Sequence, residues 1–180
     1  MSEKITSKSL MLEPLKKDHA SRLFEVLKDP KIYNYIPENP PTSEETLANK
    51  FDVLSKGAPS HLDEIWLNYA LYDSEISQYI GTLQATIFMN DKKASVAYIL
   101  NSNYWGKGYA TQALLLIINR LIEEYEIIEF EAYIDTRNIK SIELVKRLGF
   151  EYTGFEENAD FFRGEPSHEY IYTAEAKKFR

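Results

Sequence analysis

The chain has no cysteine among its 180 residues, which excludes disulfides, thiolate-bound metals and a cysteine nucleophile. Its three histidines, His19, His61 and His168, show no metal-ligand spacing. Long apolar runs are also missing. The longest, Ala113 to Ile118, is six residues and is soon followed by Arg120, whereas a bilayer-spanning helix takes about 20. Met1-Ser2-Glu3-Lys4 opens without an apolar leader, which argues against secretion and for a cytoplasmic protein. Basic residues are in deficit, 21 Lys and Arg against 28 Asp and Glu, for a net charge of -7. That balance opposes nucleic acid as the main partner, because phosphate backbones need clustered cations. An acidic surface suits cationic substrates such as amines, and it is also ordinary among cytosolic proteins.

What remains is the composition of an ordinary folded protein, 44% hydrophobic and 13% aromatic, with length enough for one domain and a sizeable core. Alternation predicts strands at Ser9–Glu13, Ile65–Tyr72, Tyr79–Met89, Ala94–Leu100, Ile127–Ile134, Phe150–Phe155 and His168–Ala174. Helical spacing predicts helices over Lys17–Lys28, from a Thr42–Glu45 capping box to Ser55, over Gln112–Glu124, and over Asn138–Arg147. The proline-rich stretch Ile32–Pro41 reads as a loop or broken helix. Leu114, Ile117, Ile118 and Leu121 form the buried stripe of the third helix. A strand–helix–strand crossover there makes one parallel pair beside antiparallel neighbours.

Between Ala97-Tyr98-Ile99-Leu100 and that helix lies Tyr104-Trp105-Gly106-Lys107-Gly108-Tyr109-Ala110-Thr111. A glycine-rich turn at a helix start leaves N–H groups unpaired and adds the positive end of the helix dipole, which together make an anion site. The same glycines also suit a strand-to-helix turn with no ligand. A dinucleotide-binding oxidoreductase would need a third small residue where Thr111 stands, and several successive crossovers where only one is visible.

The turn, the crossover and the segment Asn138-Ile139-Lys140-Ser141 followed by Leu148-Gly149-Phe150 resemble the GNAT superfamily of N-acetyltransferases. The Trp-Gly-x-Gly-Tyr-Ala-Thr form, with Trp105 in place of the usual Arg or Gln, is similar to the RimJ/RimL-type branch, which acetylates ribosomal-protein N-termini. Leu27-Lys28-Asp29-Pro30, Pro40-Pro41 and Ser43-Glu44-Glu45 carry the same likeness. The resemblance implies one α+β domain over residues 8–175. Its sheet would be mostly antiparallel, splayed, of about seven strands, with flanking helices and one parallel crossover at an acetyl-CoA site. It implies that the pyrophosphate rests on Gly106, Lys107, Gly108, Tyr109, Ala110 and Thr111 next to Trp105. Backbone groups of Tyr98 to Leu100 would pair with pantetheine, and an amide there would polarise the acetyl carbonyl. Asn138, already a strong helix N-cap, would contact the pantetheine arm, and Ser141 would stand near the thioester sulfur. Lys107 also reads simply as a solvated lysine.

For the chemistry, Val145 stands where many members carry a tyrosine general acid. The loss is modest: a thiol of pKa near 8.5 leaves as thiolate at pH 7 at a cost of about 2 kcal/mol, which Ser141 or water can offset. An α-amine is roughly a tenth neutral at pH 7, whereas a lysine needs about 4–5 kcal/mol to lose its proton. Modest acid–base equipment therefore favours α-amines or other amines of low pKa. Glu156, Glu157 and Asp160, expected to lie between the last two strands, supply carboxylates. Asp160 falls where RimL-type enzymes have a catalytic glutamate and, being shorter, would act through a water. Glu157 stands where much of the branch has arginine, and the whole stretch also reads as a solvated acidic loop. No metal is implied. The acceptor stays open between a protein N-terminus and a small amine, with a non-catalytic acyl-CoA-binding module as a third reading. The region 31–62, with Tyr33, Tyr35 and Trp66 nearby in sequence, is expected to shape the acceptor site. An exposed C-terminal strand edge leaves a homodimer open.

Overall fold

A computed structural model describes residues 4–7 and 9–180. Met1 to Glu3, on which the absence of a leader was read, and Lys8, the expected domain start, lie outside the described residues. The strands are β1 (Ile5–Ser7), β2 (Leu10–Pro14), β3 (Ile65–Asp73), β4 (Gln78–Phe88), β5 (Lys93–Leu100), β6 (Glu129–Asp135), β7 (Glu151–Phe162) and β8 (Glu165–Glu175). The helices are α1 (Ala20–Leu27), α2 (Glu44–Ser55), α3 (Tyr109–Tyr125) and α4 (Ile139–Arg147). The strands form one sheet in the order β1-β2-β3-β4-β5-β6-β8-β7, eight rather than the expected seven. The added strand is β1, too short to show a period and held by its pairing with β2.

Every pair is antiparallel except β5 with β6, whose register runs only through Lys93–Glu129, Ala94–Phe130 and Ser95–Glu131. Beyond Ser95 the two strands part, so Val96–Leu100 lines one arm of a splay and Ala132–Asp135 the other. The helices cover both faces. The α3 stripe is as expected, with Leu114, Ile117, Ile118 and Leu121 all at most 1% exposed. These side chains pack on Leu83, Ile87, Phe130 and Tyr172 in one core cluster. Each such burial is worth roughly 1.5–3 kcal/mol. A second cluster, with Leu23, Leu27, Leu47 and Phe51, joins α1 and α2 to the opposite face of β3–β5.

Local signals shifted several boundaries, among them the start of α1 (Ala20, after a 3₁₀ turn at Lys17–His19) and of β8 (Glu165). Helix α2 is capped by Ser43, not Thr42: Ser43 is extended and its Oγ accepts from the Thr46 N–H at 3.0 Å. Helix α3 starts at Tyr109, three residues before the expected Gln112, because Gly108 at φ +83° turns the chain directly into it. Residues 30–35 form a 3₁₀ turn capped by Asp29. The acidic stretch lies inside β7, since the hairpin to β8 closes farther on, at Arg163 and Gly164. Both residues have positive φ, the backbone of a tight type I′ turn. A bulge between Glu156 and Asp160 absorbs the polar residues. There Asn158, also at positive φ, donates its N–H to His168 Nδ1 at 3.0 Å.

Candidate acetyl-transfer site

The splay opens into a cleft of about 680 Å³, within the size range of small-molecule sites. It is lined by Tyr98, Ile99 and Leu100 from β5, by Trp105, Gly106, Gly108, Tyr109, Ala110 and Thr111 from the glycine turn, and by Asn138 and Ser141 from α4. The cleft thus gathers Ser141 and every residue expected at the cofactor except Lys107, while the expected carboxylates lie outside it. Lys107 is exposed and outside the lining, its ammonium 5.6 Å from the Tyr104 ring centroid. Asp160 is half-buried on β7, opposite Ser167, and is also absent from the lining.

The glycine turn fits a phosphate group. No side chain caps α3, whose first-turn amides have no partner inside the helix. A methyl group built on Gly106 would meet no described heavy atom within 4 Å, so the space beside it is open. Three cations, Lys31, Lys140 and Arg147, line the same cleft, against one carboxylate, Glu143, which faces Lys146 at 3.8 Å. Pattern reading missed all three, because lysines and arginines on helix surfaces look like solvated charge until the fold turns them inward.

The remaining lining residues are tied by specific bonds. Trp105 Nε1–H donates to the Leu100 carbonyl at 2.9 Å, and Lys140 stands 4.9 Å from the indole centroid. Tyr109 donates to Asp73, and this bond pushes its phenol pKa up to about 12. The start of α3 is thereby fastened to the end of β3. Asn138 caps α4, its Oδ1 accepting from the Ser141 N–H at 3.2 Å. Ser141 Oγ lies 3.1 Å from the Tyr98 hydroxyl. Val145 is buried in the core and takes no part in the lining. Gly81 on β4 is the backbone's accomplice here: a Cβ would sit 2.0 Å from the Ile99 carbonyl oxygen. Any side chain there would push the β5 wall out of place.

The loop 30–36 reaches the same cleft through Lys31, Ile32, Tyr35 and Ile36. Asp29 fixes it, accepting from the Lys31 N–H at 3.0 Å and the Ser102 N–H at 2.8 Å. Asn101 adds a bond to the Val26 carbonyl at 2.9 Å. Burial opposes ionisation of Asp29, but the Ser102 and Lys31 bonds outweigh it and hold the carboxyl below its usual range. Of the aromatic residues expected near the acceptor, only Tyr35 lines the cleft. Tyr33 is buried and donates to the Leu27 carbonyl, and Trp66 donates to Glu64.

Asp160 belongs to another surface. On β6, Glu129, Glu131, Tyr133 and Asp135 alternate with the core residues Phe130, Ala132 and Ile134, so they face away from α3. Registers put Glu169 opposite both Asp135 and Glu156, and Asp160 opposite Ser167, on that same face. Asp135 is tied to Arg137 and Ser167, and Glu129 and Glu131 to Lys93. Among the described residues no cation pairs with Glu156, Asp160 or Glu169. Burial, then repulsion from Asp160, Glu156 and Asp135, pushes the Glu169 carboxyl above its usual range. Glu169 is a second candidate base that pattern reading missed; its strand was legible, its register was not. No His, Asp or Glu group among the described residues is arranged to hold a metal. Nor is any described helix long and apolar enough to cross a membrane.

Known proteins share this construction. Residues 9–151 match the acetyltransferase (GNAT) domain model. The chain is similar to the uncharacterized N-acetyltransferase YnaD of Bacillus subtilis, 26% identical over 155 residues, covering 84% of each chain. It is also similar to the N-acetyltransferase p20 of Bacillus licheniformis, 22% identical over 172 residues and 95% of each chain. Among solved structures, RimL, a ribosomal L7/L12 α-N-protein acetyltransferase in complex with coenzyme A, superposes with a TM-score of 0.83. It is 20% identical, with 96% of this chain and 98% of that one covered. The fold expected from the glycine turn and crossover is therefore the fold found, and the chain belongs to the GNAT family of N-acetyltransferases.

Proposed function

We propose that this enzyme transfers acetyl from acetyl-CoA to a primary amine, with a protein or peptide N-terminal α-amine as the favoured acceptor. The observation that carries this reading is the meeting, in one cleft, of an open glycine turn at an uncapped helix with a strand that leaves its ladder at Ser95. The turn suits a pyrophosphate, and the free edge of Val96–Leu100 suits an extended amide-bearing arm. In this reading Gly106 to Thr111 hold the phosphates, Tyr98 to Leu100 and Asn138 hold the arm, and Ser141 faces the sulfur. Asp160 takes the amine proton through a water. Transfer is direct, amine to thioester, with no acyl-enzyme.

The likeness to RimL, whose name states an α-N-protein substrate, supports the α-amine. A second reading has its own observation: Glu156, Asp160 and Glu169 form an unpaired acidic face that suits a small polycationic amine. An acceptor screen separates the two, pairing peptides with Ala, Ser or Met N-termini against polyamines and amino acids, with free CoA thiol as the readout. Turnover confined to peptides is the expected result, turnover confined to polyamines overturns it, and CoA binding without any turnover points to a binding module.

A further inference from the structure

The expected roles of residues 98–100 are main-chain roles, and they leave the Tyr98 side chain unexplained. Strand alternation sends Ile99 to the α1–α2 cluster and Tyr98 to the other side, against the cluster beneath α3 and α4. There the Tyr98 hydroxyl meets Ser141 Oγ at 3.1 Å, bridging strand β5 and helix α4 across the cleft wall. The two neighbouring tyrosine hydroxyls are engaged elsewhere, Tyr104 with Gln78 and Tyr109 with Asp73. Ser141 is already held by its main chain, through the Asn138 cap.

Between a phenol and an aliphatic hydroxyl, the more acidic phenol is the better donor and the serine oxygen the better acceptor. Burial pushes the Tyr98 phenol above its usual range, so it keeps its hydrogen throughout the working pH. A serine hydroxyl has one hydrogen to donate besides the lone pairs that accept. With Oγ accepting from Tyr98, that hydrogen is free to point at a third atom in the cleft.

We propose that Tyr98 is a positioning residue for acetyl transfer: it donates to Ser141 Oγ, so that Ser141 presents its own hydrogen to the thioester sulfur as the C–S bond breaks. This rests on the acetyl-CoA reading of the cleft. In the step, the amine lone pair forms the C–N bond and the C–S electron pair passes to sulfur. The amine proton goes to the carboxylate through water. The thiolate departs hydrogen-bonded to Ser141 and takes a proton from solvent. Tyr98 stands in for the tyrosine missing at Val145 without itself losing a proton.

The test needs no acceptor. Coenzyme A is bound to the wild type, Tyr98→Phe, Ser141→Ala and the double variant, and its thiol is titrated by thiolate absorbance. In the wild-type complex the thiol should titrate about one unit below free CoA, because the hydroxyl favours the thiolate. Each single variant should lose that shift, and the double variant should lose no more than Ser141→Ala. With an acceptor peptide that turns over, Tyr98→Phe should lower kcat roughly tenfold while the acetyl-CoA KM stays within about twofold. A Tyr98→Phe or Ser141→Ala complex titrating like the wild type overturns the inference, and so does additivity in the double variant. A wild type that binds no CoA overturns the cofactor reading itself, a result distinct from either.

Discussion

The cleft and the outer face of β6–β8–β7 carry opposite charge within one acidic protein. Lys31, Lys140 and Arg147 line the cleft, while Glu156, Asp160 and Glu169 stand together on the far strands. A net charge of -7 would lead one to expect acid everywhere. Against that mean, the cations lining the cleft are the more informative surface, since a polyanionic donor needs them and a solvated surface does not. The acidic face is the complement, and in the proposed reading it would receive a cationic amine and take its proton.

The sharpest way to break the pairing is to close the turn alone. Gly108 stands at φ +83°, where a β-branched residue is strained. Gly108→Val should weaken CoA binding by roughly 10- to 100-fold in calorimetry. Unchanged binding would remove the turn from the donor site and leave the cations without their reason.

The acidic face answers to the opposite change. Glu169→Gln and Asp160→Asn should each lower kcat/KM for the acceptor by roughly tenfold, while CoA binding stays at the wild-type level. The pH dependence separates them further. Because the Glu169 carboxyl is raised, it still holds its proton where an ordinary glutamate is ionised, so any activity that needs its carboxylate falls as pH drops through that raised value. Glu169→Gln should remove this acid limb from the pH–rate profile. It should also stabilise the protein above the unfolded-state pKa, where an ionised Glu169 opposes folding, and have little effect below it. A limb that survives the substitution belongs to another group.

How much of this contrast was written in the sequence differs between its two halves. The donor side is local: Gly106, Gly108, Asn138 and Ser141 sit in short segments whose turn and cap chemistry can be read in order. Even there the side-chain bond of Tyr98 to Ser141 escaped, because the two are 43 positions apart and only the fold brings them together. Gly81 escaped likewise, since its reason is the Ile99 carbonyl of the neighbouring strand. The acidic side is almost wholly non-local. Glu156 to Asp160 looked like a loop because polar runs usually are. Their place in β7 depends on the Arg163–Gly164 turn and on a bulge, neither of which leaves a hydrophobic period to follow. Glu169 became a candidate only once register set it between Asp135 and Glu156.

The cations can be tested by salt. Lys140→Ala and Arg147→Ala should each raise the acetyl-CoA KM by about three- to fivefold at low ionic strength, with the gap to wild type narrowing as salt is added. Lys140 also stands over Trp105, so its loss should exceed that of Lys31→Ala, which has no such contact in the donor wall. A defect unaffected by salt would mean that these side chains pack and do not steer.

The smallest effect concerns a seam within the cleft wall. Asp29 binds the Lys31 and Ser102 amides and so ties the loop at 30–36 to the segment leading into the glycine turn. Asp29→Ala should cost about 1 kcal/mol of stability at pH 7 in urea denaturation, the usual cost of a lost cap, since solvent screens the rest. The carboxyl is held below its usual range, so its contribution is fully present above the unfolded value near 3.9 and is lost as pH falls through the depressed folded value. Wild type and Asp29→Ala should therefore converge in acid. If the seam holds the loop at 30–36 against the donor wall, the variant should also raise the acetyl-CoA KM. An unchanged KM would mean that the donor wall keeps its shape without this tie, and that the cations of the cleft do not depend on it.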